Sequence, residues 1–592
     1  MQYKVVAEAY EQLESTSKRL EMTDILVQLF KKTPTDIIDK VILLTQGKLH
    51  PSWLGLDVIG LAEKSAIRAV QKATGEKIKI IKEKVKETGD LGTTFDKLKK
   101  LKVKTLSQFM QKKKPEPRFS SPITVEEVYS ELDEISKLTG TGSGDKKLSR
   151  VSELLEAANR KEGKWILRTL IGKMRLGIRD MTILDALAIA FTNDKKNKPI
   201  IERGYNIYPN LGEIAKILTN QELDTIKNLK IVTFTPVRMM LAQRLSSIEE
   251  ILKKLGGISA WEYKYDGERL QIHIDDKVML YTRNLEDATP QYPDVQKLVR
   301  DLDIDKAVIE GEVVAVDSSG GLRPFQELMH RRRKYGIDDA VEQYPINLFL
   351  FDILKKGEQD LLDVPYTVRR KHLEQLVEGT DKLKLATVKI TDNASEIERF
   401  FNESIESGCE GIIAKDINSV YSAGARGWSW IKLKESYQST MADNIDIVVV
   451  GAYMGRGKRA RTYGALLCAV LDEKEGNYKT ICKVGSGFSD SDLDFFLQKF
   501  EEVKRDTKPP QVKSVIKPVP DVWFDPLIVA EIAGDEITLS NVHLAGFGKV
   551  KTNSGLAIRF PRFIRWREDK SIEDITTTDE VVDIYKRQRK TV

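Results

Sequence analysis

At 592 residues the chain has room for three to five domains of about 100–200 residues, and its 41% hydrophobic and 31% charged residues exclude wholesale disorder. The 95 Lys+Arg against 89 Asp+Glu leave a net charge of +6, an excess that implies a nucleic-acid partner only where it is clustered. Three scattered cysteines, Cys409, Cys468 and Cys482, exclude a zinc knuckle or a disulfide framework and make a reducing compartment the default. In chain order, the opening segment carries Lys4, Glu8 and Glu11 where a signal peptide needs an apolar core, and no apolar run approaches the ~18 residues of a membrane span. A monomeric cytoplasmic protein with no membrane partner is therefore expected. The first 230 or so residues read as helices: Thr35-Asp36 opens IIDKVILLTQG, which Gly47 closes, and VSELLEAANR, WILRTLIGKMR and MTILDALAIAF continue the helical period. A basic, Pro-containing stretch at 111–122 and a Gly-rich turn at 139–145, just before Lys146 and Lys147, interrupt them.

From about residue 233 short β-rich segments follow, among them WEYKYDGERLQIHI, KVMLYTR, AVIEGEVVAV, INLFLFDI, EGIIAK and WSWIKLK, with a helical stretch near 365–378. A third region begins near 439. Its short, closely spaced strands (DIVVVGAY, ALLCAVL, YKTICKVG, LIVAEIA) suggest a small barrel, and VVDIYKRQRK reads as a short basic helix. The resulting fold class is multidomain α+β, with expected domains at 1–232, 233–437 and 438–592.

Several segments carry chemistry. In the strand around Lys264, period two puts Glu262, Lys264 and Asp266 on one face and Trp261, Tyr263 and Tyr265 on the other, before a turn at Gly267. A lysine is a nucleophile only when neutral, and its ordinary pKa of about 10.4 leaves very little neutral amine at pH 7, so nearby cations or poor solvation are needed to lower it. A surface lysine in a hairpin would give the same tetrad. Alternation also pairs Glu310 with Glu312 in an apolar strand, which fits a bound cation or ribose hydroxyls. Lys432 and Lys434 share a face with Trp428 and Trp430. Two adjacent lysines repel unless an anion such as a triphosphate lies between them, and both would help to depress the pKa of Lys264.

The order Lys264-Tyr-Asp-Gly267, Tyr281-Thr-Arg283-Asn284, Val308-to-Val314, Phe349-Leu-Phe351-Asp352, Glu410-to-Lys415, Trp428-to-Lys434 and Arg559-to-Lys570 resembles the ordered signatures of the covalent nucleotidyltransferases: DNA ligases, RNA ligases and capping enzymes. LGIRDMTILDALA with Arg175, and GAYMGRGKRARTYGALLCAV, are similar to the helical DNA-binding domain and the oligonucleotide-binding (OB-fold) barrel of archaeal and eukaryotic replicative DNA ligases. That resemblance implies an all-helical DNA-binding domain, an antiparallel-sheet adenylation domain and an OB-fold barrel, acting as an ATP-dependent ligase on nicked duplex DNA. It implies Lys264 as the carrier of AMP; Glu262, Arg269, Arg283, Glu312, Phe351, Lys432, Lys434, Arg567, Asp569 and Lys570 at the nucleotide; and Glu312 and Glu410 at a Mg2+ that Mn2+ could replace. Arg175, Arg179, Lys146, Lys147, Arg456 and Lys458 would hold DNA. Phe109 and Met110, in a basic segment, would dock a sliding clamp (PCNA). An RNA ligase, a capping-type enzyme or a non-catalytic DNA-binding scaffold are the alternatives. Three scattered cysteines cannot build the four-cysteine zinc site of NAD-dependent ligases, so ATP is the expected nucleotide.

Overall fold

The structure, a computed structural model, describes residues 1–55, 61–99, 118–220, 223–331, 336–377, 381–434, 444–455, 462–489, 492, 496 and 499–590. Phe109, Met110, Arg456, Lys458 and the 435–440 linker lie outside the described residues. The chain forms two compact units: Met1–Val85 with Leu91–Leu433, and Lys86–Asp90 with Lys434–Val592.

The first unit opens with the expected helices. Thr35–Ile37 leads into Ile38–Thr45, and Gly47 stops it at φ +72, a conformation that costs glycine little. Gly142 (φ +79) precedes the helix Ser143–Ala157. Asn159 and Glu162 form a reciprocal capping box at the start of Arg160–Leu170, so the polar groups of that end are satisfied as it packs its apolar face inward. Tyr10, Phe30, Val151, Trp165 and Leu187 belong to one buried core that joins these helices.

Two sheets follow. Their strands are β1 (Leu241–Arg244), β2 (Ser259–Lys264), β3 (Glu268–Ile274), β4 (Val278–Thr282), β5 (Ala307–Ala315), β6 (Ile346–Lys356), β7 (Gln359–Asp360), β8 (Leu383–Leu385), β9 (Val388–Thr391), β10 (Gly411–Lys415) and β11 (Arg426–Lys434). One sheet has the order β1-β11-β10-β2-β9; the other runs β4-β3-β5-β6-β7, with β8 on β6. Helices Ile248–Leu255, Pro293–Arg300 and Ala394–Glu406 accompany Tyr366–Glu374, more helix than the single expected stretch. Ile248–Leu255 and Pro293–Arg300 span only eight residues each, too few turns for the helical period to stand out from the neighbouring strands.

The second unit is β-rich. Ile445–Met454, Tyr463–Asp472 and Asn477–Val484 form an antiparallel meander, and Val529–Ala533 joins its first strand to Arg562–Trp566. Ile447, Val470, Ile481, Phe563 and Val582 lie in its core, the last from the C-terminal helix Thr578–Lys590.

Candidate active site

The chain passes from one sheet to the other at Lys264. That residue ends β2, and β3 begins at Glu268 in the second sheet. Gly267 makes the turn because a Cβ there would overlap the Val313 carbonyl oxygen of β5. The aromatic face of β2 is buried as alternation predicts: Trp261 is inaccessible, Tyr263 packs on Phe400 (ring centroids 4.7 Å apart), and Tyr265 stacks on Phe349 at 4.0 Å.

Strand pairing assembles the acids around the amine. Gly411 of β10 lies opposite Lys264, and the Glu410 N–H donates to the Lys264 carbonyl at 2.8 Å. The Glu410 carboxylate pairs with the Lys264 ammonium. Glu312 comes from β5, opposite Arg269, and Asp266 accepts the Phe325 N–H at 3.1 Å. Burial alone would lower the Lys264 pKa, but the carboxylates of Glu410, Glu312 and Asp266 outweigh it and hold the amine above its ordinary value. The expected cation-driven depression is thus reversed in this structure, because acids rather than lysines surround the nitrogen. Burial, reinforced by Glu410 and Asp266 against Lys264 and Arg269, pushes Glu312 up to about 7.

Glu262, on the same strand as Lys264, belongs to a cluster of buried charges and rings. Glu262 is 3% exposed; its carboxylate accepts from Lys415 Nζ at 2.6 Å and from the Tyr366 hydroxyl at 2.5 Å. Lys415, also buried, lies 5.0 Å from the Phe351 ring centroid and 4.4 Å from that of Trp430. Arg269 donates to Glu310 at 2.7 Å and to the Met240 carbonyl at 2.8 Å, and its guanidinium lies 5.3 Å from the Phe351 ring. Glu310 and Glu312 both face Arg269, as alternation predicts, but Glu310 is committed to Arg269, Gln271 and Tyr421.

Lys432 and Lys434 are half-buried on β11. The two tryptophans separate, contrary to the shared face expected for them. A register shift between β1 and β11 falls between the partners Gly427 and Ile431, which breaks period two. Trp430 goes inward to Phe351 and Tyr421, whereas Trp428 is 43% exposed and lies under Lys254.

Arg283 follows β4 and lines a cleft of about 290 Å³ with Lys48, Gln46, Asp180 and Arg238. Burial and the neighbouring guanidiniums of Arg269 and Arg426 lower its pKa, against the opposing pull of the Glu312 carboxylate. Arg175 (φ +56) and Arg179 line a second cleft of about 230 Å³ with Lys48 and Gly177. Lys146 is exposed in the first turn of Ser143–Ala157, whereas Lys147 is 9% exposed and burial lowers its pKa. In the second unit Arg567 pairs with Asp569 at 2.8 Å, and Lys570 pairs with Asp446 at 2.6 Å.

Lys415, Tyr366, Tyr421, Arg238 and Asp446 were not singled out by pattern. Lys415 carried a signal, a lysine closing an otherwise apolar strand; the others reach their partners through long-range packing that spacing does not show.

Comparison with known proteins identifies the family. Family models described as DNA ligase N terminus, ATP dependent DNA ligase domain and ATP dependent DNA ligase C terminal region match residues 2–188, 239–434 and 459–570. DNA ligase 2 of Thermofilum pendens is 47% identical over 595 residues, covering 100% of this chain and 98% of that protein. The DNA ligase of Saccharolobus solfataricus is 45% identical over 596 residues, with 100% and 98% covered. The solved structure Pmar-Lig_Pre shares the fold at 18% identity and TM-score 0.51, over 95% of this chain and 99% of that one. The chain belongs to the ATP-dependent DNA ligases, enzymes that seal nicks in DNA with ATP as co-substrate.

Proposed function

We propose that Lys264 is the residue that carries AMP during nick sealing. The observation that supports this most directly is its position at the crossing between two sheets, beside the carboxylates of Glu410 and Glu312. In the first step the neutral Nζ attacks the α-phosphorus of ATP: a P–N bond forms, the bond to the bridging oxygen breaks, and pyrophosphate leaves. Phe351 and the Glu262–Lys415 pair line the adenine side, and Arg283, Lys432, Lys434, Arg567 and Lys570 offset phosphate charge, with Asp569 orienting Arg567. In the second step the 5′-phosphate of the nick displaces Lys264 from AMP. In the third the 3′-hydroxyl attacks the activated 5′ end, loses its proton and releases AMP.

The acids fit a divalent cation. Glu312, Glu410 and Asp266 outnumber the one lysine between them, and Glu312 is pushed up to about 7 largely by burial. Glu312 and Glu410 would hold Mg2+, or Mn2+ in its place. The bound ion would offset phosphate charge and the carboxylate field that keeps the Lys264 proton on.

On this reading the functional domains are 1–232, 233–437 and 438–592, working as a monomer. Arg175, Arg179 and Lys146 grip phosphates. Arg456 and Lys458 would add DNA contacts, Phe109 and Met110 a docking peptide for the sliding clamp, and the 435–440 linker the swing that brings Arg567 and Lys570 in for the first step only. The deciding experiment is incubation with α-labelled ATP and magnesium. The protein should become labelled through an acid-labile bond that nicked DNA discharges. A Lys264→Ala protein that still took up label would refute the assignment.

A further inference from the structure

Arg567 and Lys570 are anchored by an acid outside every signature. Asp446 lies on the strand Ile445–Met454 with its side chain 12% exposed. Its carboxylate accepts from Lys570 Nζ at 2.6 Å, and both of its oxygens accept from Arg567 Nη1, at 3.0 and 3.3 Å. These partners lie 124 and 121 residues away in sequence. The Asp446 backbone is pinned as well: its N–H donates to Thr576 Oγ1 at 3.1 Å, and its carbonyl accepts the Thr576 N–H at 3.0 Å. Glu531, opposite Asp446 in the sheet, holds Arg565 at 2.6 Å and stands 3.7 Å from Arg567. Asp569 pairs with Arg567 and is 63% exposed. Among the described residues, Asp446 is the acid that pairs with both cations.

Arg567 and Lys570 follow the strand Arg562–Trp566 in a turn, so their backbone alone does not fix two long side chains. A phosphate that had to collect both from solvent would lose their rotamer freedom on binding. Holding them on one fixed carboxylate removes that loss beforehand. We propose that Asp446 is the positioning residue that presents Arg567 and Lys570 as one anion-binding pair to the pyrophosphate half of ATP during lysine adenylylation. This rests on the assignment of those two cations to that step. Asp446 touches neither ATP nor Lys264 in this role; it acts through the two cations, and later steps do not require it.

The test uses the full chain and separates the steps. Single-turnover adenylylation is followed with labelled ATP, sealing is followed on DNA that already carries the 5′-adenylate, and the melting temperature is measured alongside. Asp446→Asn should slow adenylylation by about tenfold or more, chiefly through a raised ATP KM, and leave sealing of the pre-adenylated nick within about threefold of the unaltered enzyme. Asp446→Glu, which keeps the charge, should recover most of the lost rate. Adding Asp446→Asn to an Arg567→Ala/Lys570→Ala enzyme should slow adenylylation little further, because the acid acts through those two cations. Normal adenylylation by Asp446→Asn while Lys570→Ala is slow would overturn the proposal alone, as would an equal fall in both steps tracking the melting temperature. Normal adenylylation by Lys570→Ala would remove the assignment of the cations, and the proposal with it.

Discussion

His273 shows what burial does to one titratable side chain. It is fully buried on β3, its Nδ1 accepting the Phe234 N–H at 3.0 Å and its Nε2 lying 3.0 Å from Gln271 Oε1. Burial lowers its pKa to about 3. The folded state thus holds His273 neutral while the unfolded chain protonates it near its ordinary value of about 6.5. The resulting stability is fully present above that value and is lost as pH falls toward 3, by about 1.4 kcal/mol per unit, or roughly 2 kcal/mol at pH 5. Denaturant unfolding at pH 7 and pH 5 should show this loss, and His273→Gln should reduce it; equal losses in both proteins would contradict the account. At the same scale, the surroundings of Lys264 are not legible in the sequence. The signatures display lysines at 432 and 434, but which acids fold onto the amine is decided by the pairing of β2 with β10 and of β3 with β5.

At the scale of elements, the turn after β2 and the back of β6 carry the site. Gly267→Ala would drive a methyl into the Val313 carbonyl oxygen and displace β5, which bears Glu312. A folded protein with at least about a hundredfold slower adenylylation is expected, since misplacing a reacting group by ~1 Å costs that much. Near-normal labelling would show that the turn has slack. Asp352, next to Phe351, is fully buried and receives Arg369 Nε at 2.7 Å and Nη2 at 3.0 Å. Arg369→Ala would leave that carboxylate unpaired, and a loss of about 3–5 kcal/mol in unfolding free energy is expected. A loss under 1 kcal/mol, again from denaturant unfolding, would mean that solvent reaches Asp352. The strand features that rest on local alternation are legible in the sequence: the aromatic face of β2, the Glu310–Glu312 pair, the meander of the second unit. What depends on register or on distant partners is not, as the separation of Trp428 from Trp430 and the capture of Glu262 by Lys415 and Tyr366 demonstrate.

For the whole molecule, a net charge of +6 spread over 592 residues predicts little about DNA, whereas its placement does. Arg175 and Arg179 share one cleft with Lys48 at the helical end of the first unit. Arg175→Ala and Arg179→Ala should each weaken binding to nicked duplexes about equally for all sequences, and each should reduce the slope of log affinity against log salt by about one. Fluorescence anisotropy at several salt concentrations measures both quantities, and an unchanged slope would exclude a phosphate contact. The helical end is also stitched to the catalytic sheets. Arg238 donates its N–H to the Asn206 carbonyl at 2.8 Å and accepts the Gly424 N–H at 2.7 Å, and a Cβ on Gly424 would overlap the Asn206 amide. Asn206 ends the helix Lys198–Ile207, and Gly424 stands two residues before β11. A duplex held by the helices would therefore be measured off against a fixed backbone reference, so that where the enzyme grasps its substrate sets which bond along the strand reaches the lysines of β11.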